Sequence, residues 1–208
     1  MSINNSVFTN ASAFTALRSL NKINDRLDTT QGRVSTGLKV ASSLDDASAF
    51  AVAQGIRAEV RALDSVIQGL NNSKAVGKVA VAGATAVSNL MIDIRQKLTE
   101  LANSSISQAQ RTIIQRDFTE LVSQAANFVS NATYNGFELL TSGASTVNTL
   151  ANLAGGQLSL TAQGNVKLFI NSLAGATTTT AVNAQSVIVG QFTDLETSVA
   201  QALGTLGA

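Results

Sequence analysis

The sequence predicts a mainly α protein: a long antiparallel coiled-coil-like helical rod with a small β-hairpin region. Apolar residues recur at spacings of three and four over most of the 208 residues, and no proline interrupts them. The chain is 45% hydrophobic but only 4% aromatic. Ala, Val, Leu and Ile therefore supply most of the apolar surface, which suits close packing of helices better than a ring-lined pocket.

The first predicted helix begins near Ala11 and ends near Ser35, because Gly37 supplies the left-handed residue that commonly closes a helix. Its apolar positions form a narrow stripe, which indicates that another helix packs beside it. We predict that this stripe is a self-assembly surface. Its residues are Phe14, Leu17, Leu20, Ile23, Leu27 and Val34.

The second predicted helix, residues 43–102, is the longest element of the chain. Ser42 or Ser43 can act as its N-cap, and Asp45 and Asp46 would lie in its first turn, where carboxylates complement the helix dipole. Apolar residues recur every seven positions through its first half, which is typical of a long helix packed along its length. These residues are Ala49, Ile56, Leu63 and Leu70.

Glycines at positions 55, 69, 77 and 83 lie inside this second helix. Each costs about 1 kcal/mol relative to alanine in a helix interior. Either the helix breaks between Asn71 and Gly77, or the glycines allow another element to pack closely. We predict one long helix.

The remaining elements are predicted from local patterns. A helix over residues 106–131 folds back antiparallel on the long helix, and residues 133–176 form a β-hairpin region. Asn135 and Gly136 indicate a tight turn, and alternating polar and apolar residues predict a hairpin around Gln163 and Gly164. A final helix covers residues 183–206.

The composition excludes most catalytic and nucleic-acid-binding classes. Cysteine and histidine are absent, which removes thiol chemistry, imidazole metal ligands and the usual general base. The formal net charge is +1, so no basic field attracts nucleic acid. Charged residues make up 13%, and so weakly charged a chain tolerates self-association. We predict no enzyme activity and no catalytic, cofactor-binding or metal site. No run in the sequence reaches the about 18 apolar residues of a membrane span, so we predict no membrane insertion.

Two segments of the chain resemble bacterial flagellin. The sequence SLNKINDRLDTTQGRVSTGLKVASSLDDASAFAVAQGIRAEVRALDSVIQGLNN is similar to the amino-terminal helix of that family, its elbow (here Arg33 to Lys39) and its Asp-Asp-Ala helix start (here Asp45 to Ala47). The sequence ELANSSISQAQRTIIQRDFTELVSQAANFVSNATYNGFELL is similar to the next helix and the Tyr-Asn-Gly turn after it. The resemblance covers residues 1–140 and, more loosely, the remainder.

The resemblance implies a structural subunit that self-assembles as a homopolymer into the extracellular flagellar filament and serves motility. It implies that residues 1–42 are an inner-tube helix with its elbow and that residues 43–208 are a rod domain. It also implies an export chaperone and cap or junction proteins as partners. The chain resembles a short form that lacks outer domains and the carboxy-terminal inner-tube helix. The first helix should then need helices from outside the chain, whereas residues from Asp45 onward should pack inside the rod domain.

Two other functions fit the same sequence. One is a hook–filament junction protein, and the other is a flagellin-like surface or secreted binding protein, for instance for polysaccharide. Among single residues, Arg95 occupies the place of an arginine in the patch that a vertebrate innate receptor recognises on some flagellins. Gln96 and Lys97 depart from the Glu-Leu pair of recognised flagellins, so we predict weak or no recognition. The alternative role for Arg95 is an ordinary ion pair with a residue one turn away on the same helix.

Overall fold

The structure is a computed structural model that describes residues 10–207. Residues 1–9, which belong to the predicted inner-tube region, lie outside the described residues. The chain divides into two compact units, the first ending at Arg61 and the second beginning at Ala62. The elements are α1 (Ala11–Thr36), α2 (Ala47–Ala102), α3 (Gln108–Asn131), β1 (Thr133–Tyr134), β2 (Phe137–Glu138), β3 (Val147–Leu150), β4 (Gln157–Leu160), α4 (Asn165–Ala174), α5 (Ala181–Val187), a π-helical segment (Ile188–Phe192) and α6 (Thr193–Gly207).

In the first unit, α1 is defined by a cap at each end. The Asn10 side chain accepts hydrogen bonds from the backbone N–H groups of Ser12 and Ala13, at 3.1 and 3.2 Å. Gly37 follows the last turn with a φ of 66°, the left-handed conformation that glycine adopts at little cost. No residue of α1 is buried.

The second helix, α2, starts four residues later than position 43. Asp46, rather than Ser42 or Ser43, supplies the cap, because its Oδ1 accepts the N–H of Ala49 at 3.0 Å. Asp45 lies before the helix and accepts the N–H groups of Ala41 and Ser42. From Ala47 the helix runs without a break to Ala102, so its glycines do not interrupt it.

In the second unit, α2 and α3 run antiparallel. Arg111, near the start of α3, is buried and donates to the backbone oxygens of Leu101 and Asn103 at the end of α2. Gly83, five turns earlier on α2, lies against Ala132, just after the end of α3. The core combines α2 with α3, α4 and the carboxy-terminal helices. Its largest fully buried side chains are Phe192, Ile94, Leu98, Leu101, Leu139, Leu140, Ile170, Leu173 and Leu195.

The glycines of α2 in this unit admit close neighbours. A Cβ atom at Gly69 would lie 3.3 Å from Cγ2 of Thr149 on β3, and one at Gly77 would lie 3.5 Å from Cδ2 of Leu160 on β4. Between them, the hydroxyl of Ser73 hydrogen-bonds to the hydroxyl of Thr149. The small residues therefore seat the β3–β4 hairpin directly on the helix, so the glycines serve close packing.

The structure corrects the position of the hairpin predicted around Gln163 and Gly164. Strands β3 and β4 pair antiparallel, with Val147 opposite Leu160 and Leu150 opposite Gln157, and the connection is residues 151–156. The residues after Gly164 form α4 instead of a strand. They repeat at helical as well as at alternating spacing, and the helix buries Val166, Ile170 and Leu173 on one face.

The predicted turn at Asn135 and Gly136 is present. It joins β1 to β2, and both residues have positive φ, as a two-residue hairpin turn of type I′ requires. From Ala181 to Gly207 the chain is helical throughout, with the π segment between α5 and α6. The predicted class is confirmed: the fold is mainly α, with long packed helices and small two-stranded sheets.

Candidate assembly surfaces

The predicted self-assembly residues of α1 are all exposed. Their exposed fractions run from 54% for Leu27 to 79% for Val34. At about 100° per residue, Leu20, Ile23, Leu27 and Val34 fall within about 60° of one another around the helix. Leu17 lies about 60° and Phe14 about 120° from Leu20 on the other side. The structure thus gathers four of the six on one narrow face, and Phe14 is the least aligned. We call the six residues the α1 stripe.

A second exposed apolar face lies on α2 within the first unit. Val52, Ile56 and Val60 follow one another at intervals of four residues, and each is more than half exposed. In the second unit, Leu63 and Ile67 are exposed as well. Residues after Asp45 were expected to pack inside the chain, but burial along α2 begins only at Val66. The heptad pattern that predicted a packed helix is present, and its first part is uncovered.

By length and composition, α2 could also cross a membrane. It is the one helix among the described residues that is long and apolar enough to do so. This is weak evidence, because the core helix of a folded domain passes the same test. In the second unit α2 lines the protein core, where Val87, Ile94 and Leu98 have no exposed surface.

Arg95 projects from α2 into a groove of about 890 Å³ beside α6. Its guanidinium bonds to Oε1 of Glu196 at 2.9 Å and lies 5.8 Å from the centre of the Phe192 ring. Arg95 therefore pairs with a residue of another helix, and not with a residue one turn away on α2. More than half of its side chain remains exposed, and exposed pairs of this kind contribute at most about 1 kcal/mol. Ile92, Val199 and Leu203 form apolar parts of the groove wall.

The acidic residues around the elbow have structural partners. Asp45 and Asp46 accept backbone N–H groups, as helix-start residues do. Within residues 10–207, no three histidine, cysteine, aspartate or glutamate side chains cluster closely enough to hold a metal ion. The arrangement is typical of a helical protein whose exposed apolar faces pack against other helices.

Comparisons with known proteins identify the family. Residues 7–146 match the protein family described as the bacterial flagellin N-terminal helical region. Flagellin FljK of Caulobacter vibrioides is 29% identical over 203 residues, 98% of this chain and 74% of that protein. Polar flagellin A of Vibrio parahaemolyticus is 31% identical over 140 residues, 67% of this chain and 37% of that protein.

A likeness in fold accompanies these sequence matches. The crystal structure of Bacillus cereus flagellin matches 67% of this chain and 81% of that chain, with a TM-score of 0.58 and 16% identity. The chain belongs to the bacterial flagellin family, whose members are structural, non-enzymatic subunits of the extracellular flagellar filament that serves motility. The family implies a homopolymer of such subunits.

Proposed function

We propose that the α1 stripe is the surface through which this chain joins other subunits. The observation that carries the proposal is that α1 has 26 residues and buries none of them. Each stripe residue is about half exposed or more, so burial against a neighbouring helix would contribute about 1 kcal/mol per residue. Contacts of this size become substantial because a helical assembly repeats them on every subunit.

We further propose that residues 1–42 act as inner-tube helix and elbow and residues 43–208 as rod domain. An export chaperone and cap or junction proteins stay predicted partners. Weak recognition by the innate receptor stays a prediction for Arg95, and a receptor reporter assay on purified monomer tests it.

The assembly proposal is tested by a charge placed on the stripe. Leu27→Asp puts a carboxylate at the centre of the shared face, where burial would cost several kcal/mol. Thr29→Asp is the matched control. It adds the same charge, but position 29 lies about 200° from Leu27 around α1. Salting-out of the full chain, followed by light scattering and electron microscopy, should give long tubes of uniform width for the parent and Thr29→Asp. Tubes formed equally well by Leu27→Asp would contradict the proposal.

The same images separate the two other functions. A hook–filament junction protein would give short, capped complexes that do not elongate. A flagellin-like binding protein would stay monomeric and show saturable affinity for its ligand. The exposed stripes on α1 and α2 favour the elongating homopolymer, because a monomeric binder would leave both faces in water.

A further inference from the structure

The hairpin turn between β1 and β2 contains the single Asn-Gly pair of the sequence, Asn135 and Gly136. Both residues are exposed, and their φ angles of 51° and 79° are left-handed. A Cβ atom built at Gly136 would meet nothing within 4 Å, so the space beside its backbone is open. Water therefore reaches both the Asn135 side chain and the Gly136 backbone.

The strands on either side of this turn lead directly into the core. Ala132, just before β1, is buried, and so are Leu139 and Leu140, just after β2. The carbonyl of Leu139 also accepts the backbone N–H of Gln163 at 2.6 Å. Both ends of the hairpin are thus fixed, and a change in the length of the turn acts on buried residues.

The Asn135 side chain differs from those of the other asparagines that lie outside helices within residues 10–207. Each of the others accepts a hydrogen bond that fixes its side chain, and they are Asn10, Asn103, Asn148 and Asn152. No described residue hydrogen-bonds to the side chain of Asn135. Its amide is therefore not held in place, and it can turn toward the backbone of the next residue.

The geometry of the turn allows the two groups to meet. Two-residue hairpin loops adopt type I′ or type II′, and both types suit the twist of the paired strands. The types differ by about 150° in ψ of the first central residue. In type II′ the next backbone nitrogen lies on the same side as the Cβ atom of that residue, next to its Cγ. The second residue then has negative φ, which glycine takes at little cost. The Asn135 amide can thus meet the Gly136 nitrogen while β1 and β2 stay paired.

We propose that Asn135 is a site of spontaneous deamidation, a covalent modification that consumes only water. The backbone nitrogen of Gly136 loses its proton and forms a bond to Cγ of Asn135. The bond from Cγ to Nδ2 breaks, and Nδ2 takes up a proton and leaves as ammonia. The five-membered succinimide that results adds one water molecule at either of its carbonyl carbons, which gives aspartate or isoaspartate. The step needs no enzyme, and asparagine counts among the thermolabile residues of proteins for this reason.

The two products change the turn in different ways. Both add a negative charge at position 135, but isoaspartate also lengthens the main chain between the strands by one carbon atom. A two-residue turn fixes the register in which Tyr134 faces Phe137, so a longer main chain disturbs that pairing. Asn135→Asp carries the same charge on an ordinary backbone. The isoaspartyl form should therefore melt at a lower temperature than this variant.

A second Asn-Gly pair placed in a helix separates the effect of the turn from that of the dipeptide. Ser172→Gly creates this pair at Asn171, and both positions are exposed on α4. There the helix fixes ψ of Asn171 and engages the next backbone N–H in a hydrogen bond. Isoaspartate should form at least about tenfold faster at position 135 than at 171, because α4 must open before the attack. Opening exposes the buried Val166, Ile170 and Leu173.

Peptide mapping by mass spectrometry, with enzymatic methylation to detect isoaspartate, follows both sites in the full chain during incubation in mildly alkaline buffer. The rate at Asn135 should rise with pH, because the attacking nitrogen must first lose its proton. Equal rates at positions 135 and 171 in the Ser172→Gly variant would overturn the proposal. So would an Asn135 that keeps its amide in the folded parent while the same chain in urea loses it. Aspartate without isoaspartate at position 135 would also overturn it, because direct attack of water on the amide gives aspartate alone.

Discussion

Gly83 on α2 packs closely against Ala132, just after the end of α3, and a single added methyl group tests that packing. A Cβ atom at position 83 would lie 2.7 Å from Cβ of Ala132 and 3.2 Å from Cδ1 of Leu140. Carbon atoms pack at about 3.5–4.0 Å, so the first contact is short by about 1 Å. The Ala132 methyl is fixed to the backbone, and it cannot rotate out of the way.

The expected magnitude combines two opposing effects. Alanine at position 83 favours the helix by about 1 kcal/mol over glycine. Overpacking a filled core costs about 1–3 kcal/mol. We expect Gly83→Ala to lower the free energy of unfolding by up to about 2 kcal/mol, which is up to about 6 °C in melting temperature for a unit of this size. Gly204→Ala on α6 has open space around the new methyl, so it should be neutral or stabilising by up to about 1 kcal/mol.

Urea denaturation followed by far-UV circular dichroism and by the fluorescence of Tyr134 measures both variants. Tyr134 is the single tyrosine and lies two residues after Ala132, so it reports on this region. In an Ala132→Gly background the cost of Gly83→Ala should shrink, because the clashing methyl is gone. If Gly83→Ala raised stability as much as Gly204→Ala, the argument from the 2.7 Å contact would be refuted.

Three further variants test single interactions. Arg111→Met leaves two carbonyls at the end of α2 without their buried donor, and it should lower the free energy of unfolding by about 2–3 kcal/mol in urea titrations, with Arg111→Lys in between. Glu196→Gln breaks an exposed pair with Arg95 and should cost at most about 1 kcal/mol, with the difference vanishing at 1 M salt. Hydrogen bonds from the side chains of Gln96 and Lys97 hold the pKa of Glu100 below its ordinary value. The ionised carboxylate therefore stabilises the folded chain above the ordinary pKa, and this stabilisation is lost as the pH falls through the lower pKa of the folded state. In acid titrations followed by circular dichroism, Glu100→Gln should lose less stability over that range than the parent.

Much of the helical architecture was accessible from periodicity and from end signals. The α1 boundary followed from Gly37, and the turn after Tyr134 followed from the Asn-Gly pair. The length of α2 followed from an unbroken heptad pattern, although its glycines left two interpretations open. The residues that pack against these glycines decide between the two interpretations. Sequence alone cannot do so, because a glycine that packs against a hairpin looks the same in sequence as a glycine that ends a helix.

Other features depended on contacts that no local pattern reveals. The residues of α4 alternate well enough to suggest a strand, and their burial against α3 and α6 selects the helix. Lys167 on α4 donates to the carbonyl of Ala126 and to the Ser130 hydroxyl near the end of α3, a tertiary capping interaction between distant residues. The π-helical segment Ile188–Phe192 has no local sequence signal of its own, because apolar residues recur at helical spacing on both sides of it.

The assembly contact proposed for the α1 stripe would couple the folding of α1 to assembly. Of its 26 residues none is buried, so its helicity rests on its caps and on intrinsic propensity. That propensity is modest: Gly32 costs about 1 kcal/mol, and Thr29 and Thr30 direct their hydroxyls to carbonyls one turn back, an interaction that favours bending over stability. In the proposed assembly, a neighbouring helix that covers Leu20, Ile23 and Leu27 would therefore supply both the contact energy and the order of α1. Part of the gross contact energy would be spent on that ordering, so we expect moderate net affinity per subunit and a polymer whose stability requires the contact to be repeated along the assembly.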